Sequence, residues 1–262
     1  NISDSVQVIG QEAFSPCPNL KEVQIGRGVK YIEKQAFSCC RTLQSIVIPE
    51  NVESIGYKAF EDCSYEEGRG GLQSVIIKGK DTKMLDSRGT VNEGFDAGTF
   101  SRCTELKEVS IACNIGQRAF EDCTALTDVI VTDGASEIGY AAFSGCKNLT
   151  NIQLPDSLKK IDNDVFQTDK ITEFYIPANL EEMNGAAVRY CNNLTNFIVD
   201  EKNNNFKIKD GVLFDSSFSV IIKYPQQKKD LSEYEVPACV NKICNGAFYG
   251  CHALTEIILP KE

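Results

Sequence analysis

Ile32-Glu33-Lys34-Gln35-Ala36-Phe37-Ser38-Cys39-Cys40-Arg41-Thr42-Leu43-Gln44-Ser45-Ile46-Val47-Ile48-Pro49 is the stretch whose reading decides the fold. Its pattern is I-x-x-x-A-F-x-x-C-x-x-L-x-x-I-x-I-P, and the chain writes it repeatedly. Ala13-Phe14, Ala36-Phe37 and Ala59-Phe60 lie 23 residues apart, as do Cys17, Cys40 and Cys63. The same lines return at Ala119-Phe120 with Cys123, at Ala142-Phe143 with Cys146 and at Ala247-Phe248 with Cys251. A unit this short cannot hide its own apolar side, but units stacked in a row bury one another's.

A period of about 20 to 29 residues with an L-x-x-I-x-I segment in each copy predicts a right-handed leucine-rich-repeat solenoid, α/β in class. The expected architecture is a concave parallel β-sheet with short helical or irregular turns on the return side. In Leu43 to Ile48 the β-branched residues favour a strand, with Ile46 and Ile48 on one face. Pro49 ends it, because proline cannot donate to a ladder. Val52 and Ile55 point back inward, and Gly56 permits a turn. Lys58 to Cys63 is expected to form one helical turn, with Phe60 and Cys63 sharing a face.

The whole chain, 1–262, reads as one solenoid of about nine coils, interrupted at 64–71, 79–98 and 200–235. The second interruption is expected to replace a return side. In the third, Asp210-Gly211 between Phe206-Lys207-Ile208 and Val212-Leu213-Phe214 signals a hairpin turn, and Val220 to Tyr224 offers a third strand. This segment is expected to be a small β-meander inserted between coils, with the repeat resuming at Val236-Pro237. Coil seven is degenerate, with Val165-Phe166 for Ala-Phe and Asp169 where a cysteine is expected.

A net charge of -10 and a pI near 4.8 argue against nucleic acid and anionic lipid as partners. No apolar run approaches the roughly 18 residues of a membrane span. Of the 12 cysteines, Cys17, Cys40, Cys63, Cys103, Cys123, Cys146, Cys191 and Cys251 hold one repeat position. That recurrence predicts free, packed thiols in the role of small hydrophobes. Disulfides between neighbouring coils are the rival, since coils about 4.8 Å apart are within bridging reach. Cys39, Cys113, Cys239 and Cys244 fall outside the column. Neither terminus carries the polar cap a solenoid end needs, so the chain is read as a piece of a longer one.

The pattern I-G-x-x-A-F-x-x-C-x-x-L-x-x-I-x-I-P, as in Ile138-Gly139 to Pro155, resembles the BspA-type leucine-rich repeats of bacterial surface proteins, also found in some protists. Asp210 to Phe214 followed by Ile222-Lys223-Tyr224-Pro225 resembles the longer unit that such proteins interleave with plain repeats. The resemblance covers essentially all of the chain except Gly79 to Gly98. It implies a secreted or surface-anchored, adhesin-like protein with no catalytic residues and no cofactor.

In each L-x-x-I-x-I segment the third and fifth positions should face solvent. The fifth positions read Gln24, Val47, Ile76, Ser110, Ile130, Gln153, Tyr175, Ile198 and Ile258. The third positions read Glu22, Ser45, Ser74, Glu108, Asp128, Asn151, Glu173, Asn196 and Glu256. An apolar stripe rimmed by acids on a concave face points to protein binding, with Glu22, Val47, Ile76, Glu108, Asp128, Ile130, Glu173, Tyr175 and Ile198 as candidate contacts. The plainer account is that β-branched residues pack against strand neighbours. The expected partner is a host or neighbouring-cell protein, or a glycan. A rigid spacer displaying another domain is the alternative.

Catalytic and metal chemistry find little support. His252, the sole histidine, falls in an exposed repeat position. The Gly68 to Gly71 run lacks the Lys-Ser/Thr of a phosphate loop. Asp81, Asp86, Glu93 and Asp96 lack EF-hand spacing for calcium. Asn148-Leu149-Thr150 and Asn193-Leu194-Thr195 match the glycosylation sequon at places where the repeat turns into its strand, so chance explains them better.

Overall fold

A computed structural model describes residues 1–65, 70–87, 89, 97–228 and 232–260. Two parallel ladders organise it. The first is built from the L-x-x-I-x-I segments: Ser45–Ile48, Ser74–Ile77, Glu108–Ile111, Asp128–Val131 and Asn151–Gln153 form one sheet, extended by a bridge from Glu22 to Ser45. Register is kept throughout, so Ile46, Val75, Val109, Val129 and Ile152 face one another across it. Glu173–Ile176 pairs with Asn196–Val199, and Glu233–Glu235 with Glu256–Ile258, in the same parallel sense. Alternation buries the isoleucines and valines and leaves the positions between them in solvent, as in Ser45–Ile48.

The second ladder runs up the return side in two-residue steps: Val8–Ile9, Tyr31–Ile32, Ser54–Ile55 and Lys83–Met84. It continues as the Ile115 to Ile138 bridge and the pairing of Glu137–Ile138 with Lys160–Ile161. Lys83–Met84 shows that the stretch from Gly79 onward does not replace the return side as expected. It supplies a normal return step first, because Thr82, Lys83 and Met84 continue the alternation; residues 88 and 90–96 of that insertion lie outside the described residues.

Between the ladders, each Ala-Phe turn is neither helix nor strand. The expected helical turn is corrected here: Lys58, Phe60 and Asp62 donate to Ala97, Thr99 and Ser101 of the next coil, at 3.0, 2.8 and 3.0 Å. Ala59 and Glu61 instead close turns onto Gly56 and Lys58, each at 3.2 Å. Alternate amides thus serve the neighbour and the coil itself. This alternation needs left-handed backbone two residues before and two after the aromatic, seen at Lys58 (φ 55 at its partner Asp62, 54 at Lys58 itself) and at Arg118 and Asp122 (φ 52 and 59). Among the described residues the sole helical element is a 3-10 turn, Gly185–Val188.

Phe14, Phe37, Phe60, Phe100, Phe120, Phe143 and Phe166 stack in one column, with centroid spacings rising from 4.9 to 5.8 Å and ring planes within 8° of parallel. The column stops at coil eight, where Ala187-Val188 carries no aromatic. Phe174, from the sheet side, leans against Phe166 at 5.4 Å instead.

The stretch expected to be an inserted meander is largely a coil in its own right. Phe206–Lys209 and Val212–Asp215 do form the antiparallel hairpin, turning through Asp210 and Gly211 at φ 50 and 76. Val220–Lys223, however, pairs in parallel with Lys242–Ile243 and so takes a return-ladder place. Tyr224 then stands where phenylalanine usually does: its amide donates to Ala247 at 2.8 Å, as that of Phe37 does to Ala59. Glu233–Glu235 completes the coil in the first ladder. The expected nine coils are therefore ten, and only the hairpin is extra. Leu231-Ser232-Glu233-Tyr234-Glu235-Val236-Pro237 spells the repeat with tyrosine in an isoleucine place.

Candidate functional site

The cysteine column holds the most conspicuous reactive groups of this sequence. All twelve thiols are free. Those of the column donate to the carbonyl oxygen of the aromatic one coil back: Cys40 to Phe14 at 3.2 Å, Cys103 to Phe60 at 3.1 Å, Cys146 to Phe120 at 3.2 Å. Burial pushes the Cys40 thiol up to about 11 and Cys191 and Cys113 to about 12, far from the thiolate a nucleophile or metal ligand requires. Among the described residues no group of three or more His, Cys, Asp or Glu side chains is placed to hold a metal. Asp81 and Asp86 are described; Glu93 and Asp96 lie outside the described residues, as do residues 66–69 of the glycine-rich loop. His252 is exposed, and its amide closes a turn onto Gly250 at 2.9 Å. The sequon amides are structural: Asn148 donates to Thr124 at 2.9 Å and Asn193 to Asp169 at 2.7 Å, each tying its coil to the one before.

The outer face of the first ladder carries the remaining candidate residues. Strand register places Val47 beside Ile76, then Ser110, Ile130 and Gln153 in a single column. Tyr175 and Ile198 hold the same repeat position and form a second pair, in the two-stranded sheet of Glu173–Ile176 and Asn196–Val199. Val47, Ile76, Ile130, Tyr175 and Ile198 keep between 37 and 43% of their surface exposed, whereas their inward neighbours Ile46, Val75, Val129, Phe174 and Phe197 are buried. Val47 beside Ile76, and Tyr175 beside Ile198, are exposed apolar pairs in a stripe along this face. Ser110 and Gln153 interrupt it, dividing the stripe around Ile130.

The column beside it is polar. Glu22, Glu108 and Glu173 are exposed and Asp128 is half-buried. Glu108 lies in register with Asp128, and Asp128 with Asn151. Hydrogen bonds from the Thr127 hydroxyl at 2.6 Å and the Asn151 amide at 3.1 Å hold the Asp128 carboxyl below its ordinary range. Tyr175 is anchored at its tip: its hydroxyl donates to Asp200 at 2.6 Å, which pushes the phenol up to about 12 and Asp200 down. The ring is thereby held upright, edge and face in solvent, with little rotamer freedom left to lose on binding. The Tyr175–Asp200 contact escaped the sequence, since Asp200 lies just beyond the next strand; the signal was an aromatic in the fifth position with an acid one residue after that strand.

No helix among the described residues is long and apolar enough to cross a membrane.

The family described as BspA type leucine rich repeat region matches residues 1–80, 93–220 and 219–262, in six copies. Three solved structures show the same fold. One is the pneumococcal vaccine antigen PcpA, 23% identical with TM-score 0.62, covering 91% of this chain and 59% of that one. A leucine-rich repeat protein from Eubacterium ventriosum is 18% identical with TM-score 0.57, covering 71% and 47%. A leucine rich cell surface protein from Faecalibacterium prausnitzii is 23% identical with TM-score 0.53, covering 83% and 63%. The chain thus spans about half to three-fifths of the length of the solved structures it matches. No curated protein matches it.

Proposed function

This chain belongs to the BspA-type leucine-rich-repeat family, and we propose that it is a non-catalytic binding module, displayed outside the cell or on its surface, that takes a protein ligand on its concave sheet. The observation carrying this reading is that Val47, Ile76, Ile130, Tyr175 and Ile198, at one repeat position, are all exposed, with Val47–Ile76 and Tyr175–Ile198 in register. Strands held in register coil after coil give a rigid platform, and a rigid platform limits the ordering cost of association. A surface role is supported by the Faecalibacterium protein described as a cell surface protein. The chemistry of the face is that of an adhesive contact, with aliphatic and aromatic groups at the centre and charged groups alongside.

The test is a screen of this chain against a panel of extracellular protein domains, repeated with Val47→Asp, Ile130→Asp and Tyr175→Asp combined. These side chains point away from the core, so the variant should keep its circular dichroism and unfolding midpoint. Hits lost in the variant support the concave reading. Hits that survive it place the ligand elsewhere, and a panel without hits favours a rigid spacer.

A further inference from the structure

The exposed apolar column defines a surface, and the carboxylates beside it define what that surface accepts. Resting on the concave-sheet reading above, we infer that the partner presents a basic amphipathic segment, with aliphatic side chains for the Val47–Ile198 column and lysine or arginine for the acids next to it.

Two pairs of carboxylates are set in register on adjacent strands: Glu108 beside Asp128, and Glu233 beside Glu256. Neighbouring strands are about 4.8 Å apart, so each pair presents two carboxylates within reach of one cationic segment. Nothing in the fold demands acids there, because Ser45 and Ser74 fill the same column one and two coils earlier. Among the described residues the ion pairs lie on the return ladder and the turns, as in Lys30 with Glu53 at 3.3 Å, Lys160 with Glu137 at 2.9 Å and Arg102 with Glu61 at 2.7 Å. None of them includes Glu108, Asp128, Glu173, Glu233 or Glu256. The acids of this column thus stand outside those ion pairs, beside exposed apolar side chains. A cationic partner would pair with these carboxylates while covering the exposed apolar side chains, so the two contributions would act together.

The probe is a fluorescein-labelled synthetic helix of leucine and lysine, lysines flanking one leucine face, compared with analogues carrying glutamine or glutamate for lysine. Binding is read by anisotropy to the whole chain, to Glu108→Lys/Asp128→Lys/Glu173→Lys, and to Glu12→Lys/Glu53→Lys/Glu181→Lys, which changes net charge equally on the return side. We expect the lysine peptide to bind, to weaken as salt shortens electrostatic range, and to lose roughly tenfold or more against the concave variant but under about threefold against the control. No binding of the lysine peptide, equal losses in both variants, or equal binding of the glutamate peptide overturns the inference. The glutamine peptide separates the two readings. If it binds as well as the lysine peptide and is lost in the Val47, Ile130 and Tyr175 triple variant, the concave site stands and its preference for cations falls. If that triple variant binds every peptide unchanged, the concave site itself falls.

Discussion

The Cys63 thiol donates to the Phe37 carbonyl oxygen at 3.1 Å, across the boundary between two coils. The same oxygen accepts the Cys40 amide at 3.2 Å and so closes its own turn. One carbonyl therefore binds a coil to itself and to the next. Cys123 repeats the contact to Phe100 at 3.3 Å. Cysteine suits the position because it is small and apolar yet carries a weak donor. Valine would match the burial and leave the bond unmade.

Two variants distinguish a thiol that donates a hydrogen bond from one that only fills space. Cys146→Ser keeps a donor toward Phe120, whereas Cys146→Ala removes it. If the bond contributes about 1 kcal/mol, the alanine variant should be the less stable in urea titrations, losing about 1 to 2 kcal/mol. A site that only fills space gives the reverse order, since a buried hydroxyl without a partner costs more than a missing sulfur.

Thiol reactivity should divide the cysteines sharply. Cys40, Cys63, Cys103, Cys113, Cys123, Cys146 and Cys191 are buried, and Cys239 is exposed. Iodoacetamide on the native protein near neutral pH should mark Cys239 first, then Cys17, Cys39, Cys244 and Cys251 slowly. The buried seven should react only after unfolding. Peptide mass spectrometry reads the order directly, and early labelling of Cys123 or Cys146 would contradict the packing described here.

The plain coils were legible because their residues repeat in fixed places: Phe37 on Phe60, Cys40 before Cys63, Ile46 beside Val75. Two features were not. The Lys58–Cys63 turn reads as helical from spacing, because Phe60 and Cys63 are three apart in either case. Only the left-handed backbone of Lys58 and Asp62 turns alternate amides toward the next coil. The coil containing Tyr224 was hidden by substitution, with Lys223-Tyr224 in the places of Ala-Phe and a hairpin ahead of it. Of the candidate site, the columns of Val47 and Glu108 followed from strand alternation. That no ion pair among the described residues includes Glu108 or Asp128 did not, because it depends on where side chains such as Lys30 and Lys160 reach.

Lys223 is a buried amine whose donors reach the Gly246 and Tyr249 carbonyl oxygens at 3.0 and 2.8 Å. Burial lowers its pKa from 10.5 to about 8. Between those values the unfolded chain holds a proton that the folded chain has released, so this residue's contribution to stability rises with pH across that window. Buried thiols act in the opposite sense, their raised pKa values weakening the fold as pH climbs past 9. Comparing the protein with Lys223→Met cancels the thiols. The stability difference should move in favour of the wild type between about pH 7 and about pH 10 in urea titrations. A flat or falling difference would rule out the depressed amine.

Adjacent alanines should respond to glycine with opposite signs. Ala141 sits at φ 54, two residues before Phe143, in the column that also holds Gln35 and Lys58 at φ 54 and Gly246 at φ 70. A left-handed conformation costs an L-residue about 1 to 2 kcal/mol, which glycine avoids. Against this stand the extra backbone freedom glycine loses on folding and the packing of one buried methyl. Ala141→Gly should therefore leave stability unchanged or raise it by about 0.5 kcal/mol. Ala142 has no such backbone and its methyl is fully buried. There glycine removes packing and adds entropy, so Ala142→Gly should cost about 1 kcal/mol or more. Urea midpoints of the two variants decide the matter. Were both to fall equally, the left-handed turn, and with it the alternation of amides that joins each coil to the next, would be wrong.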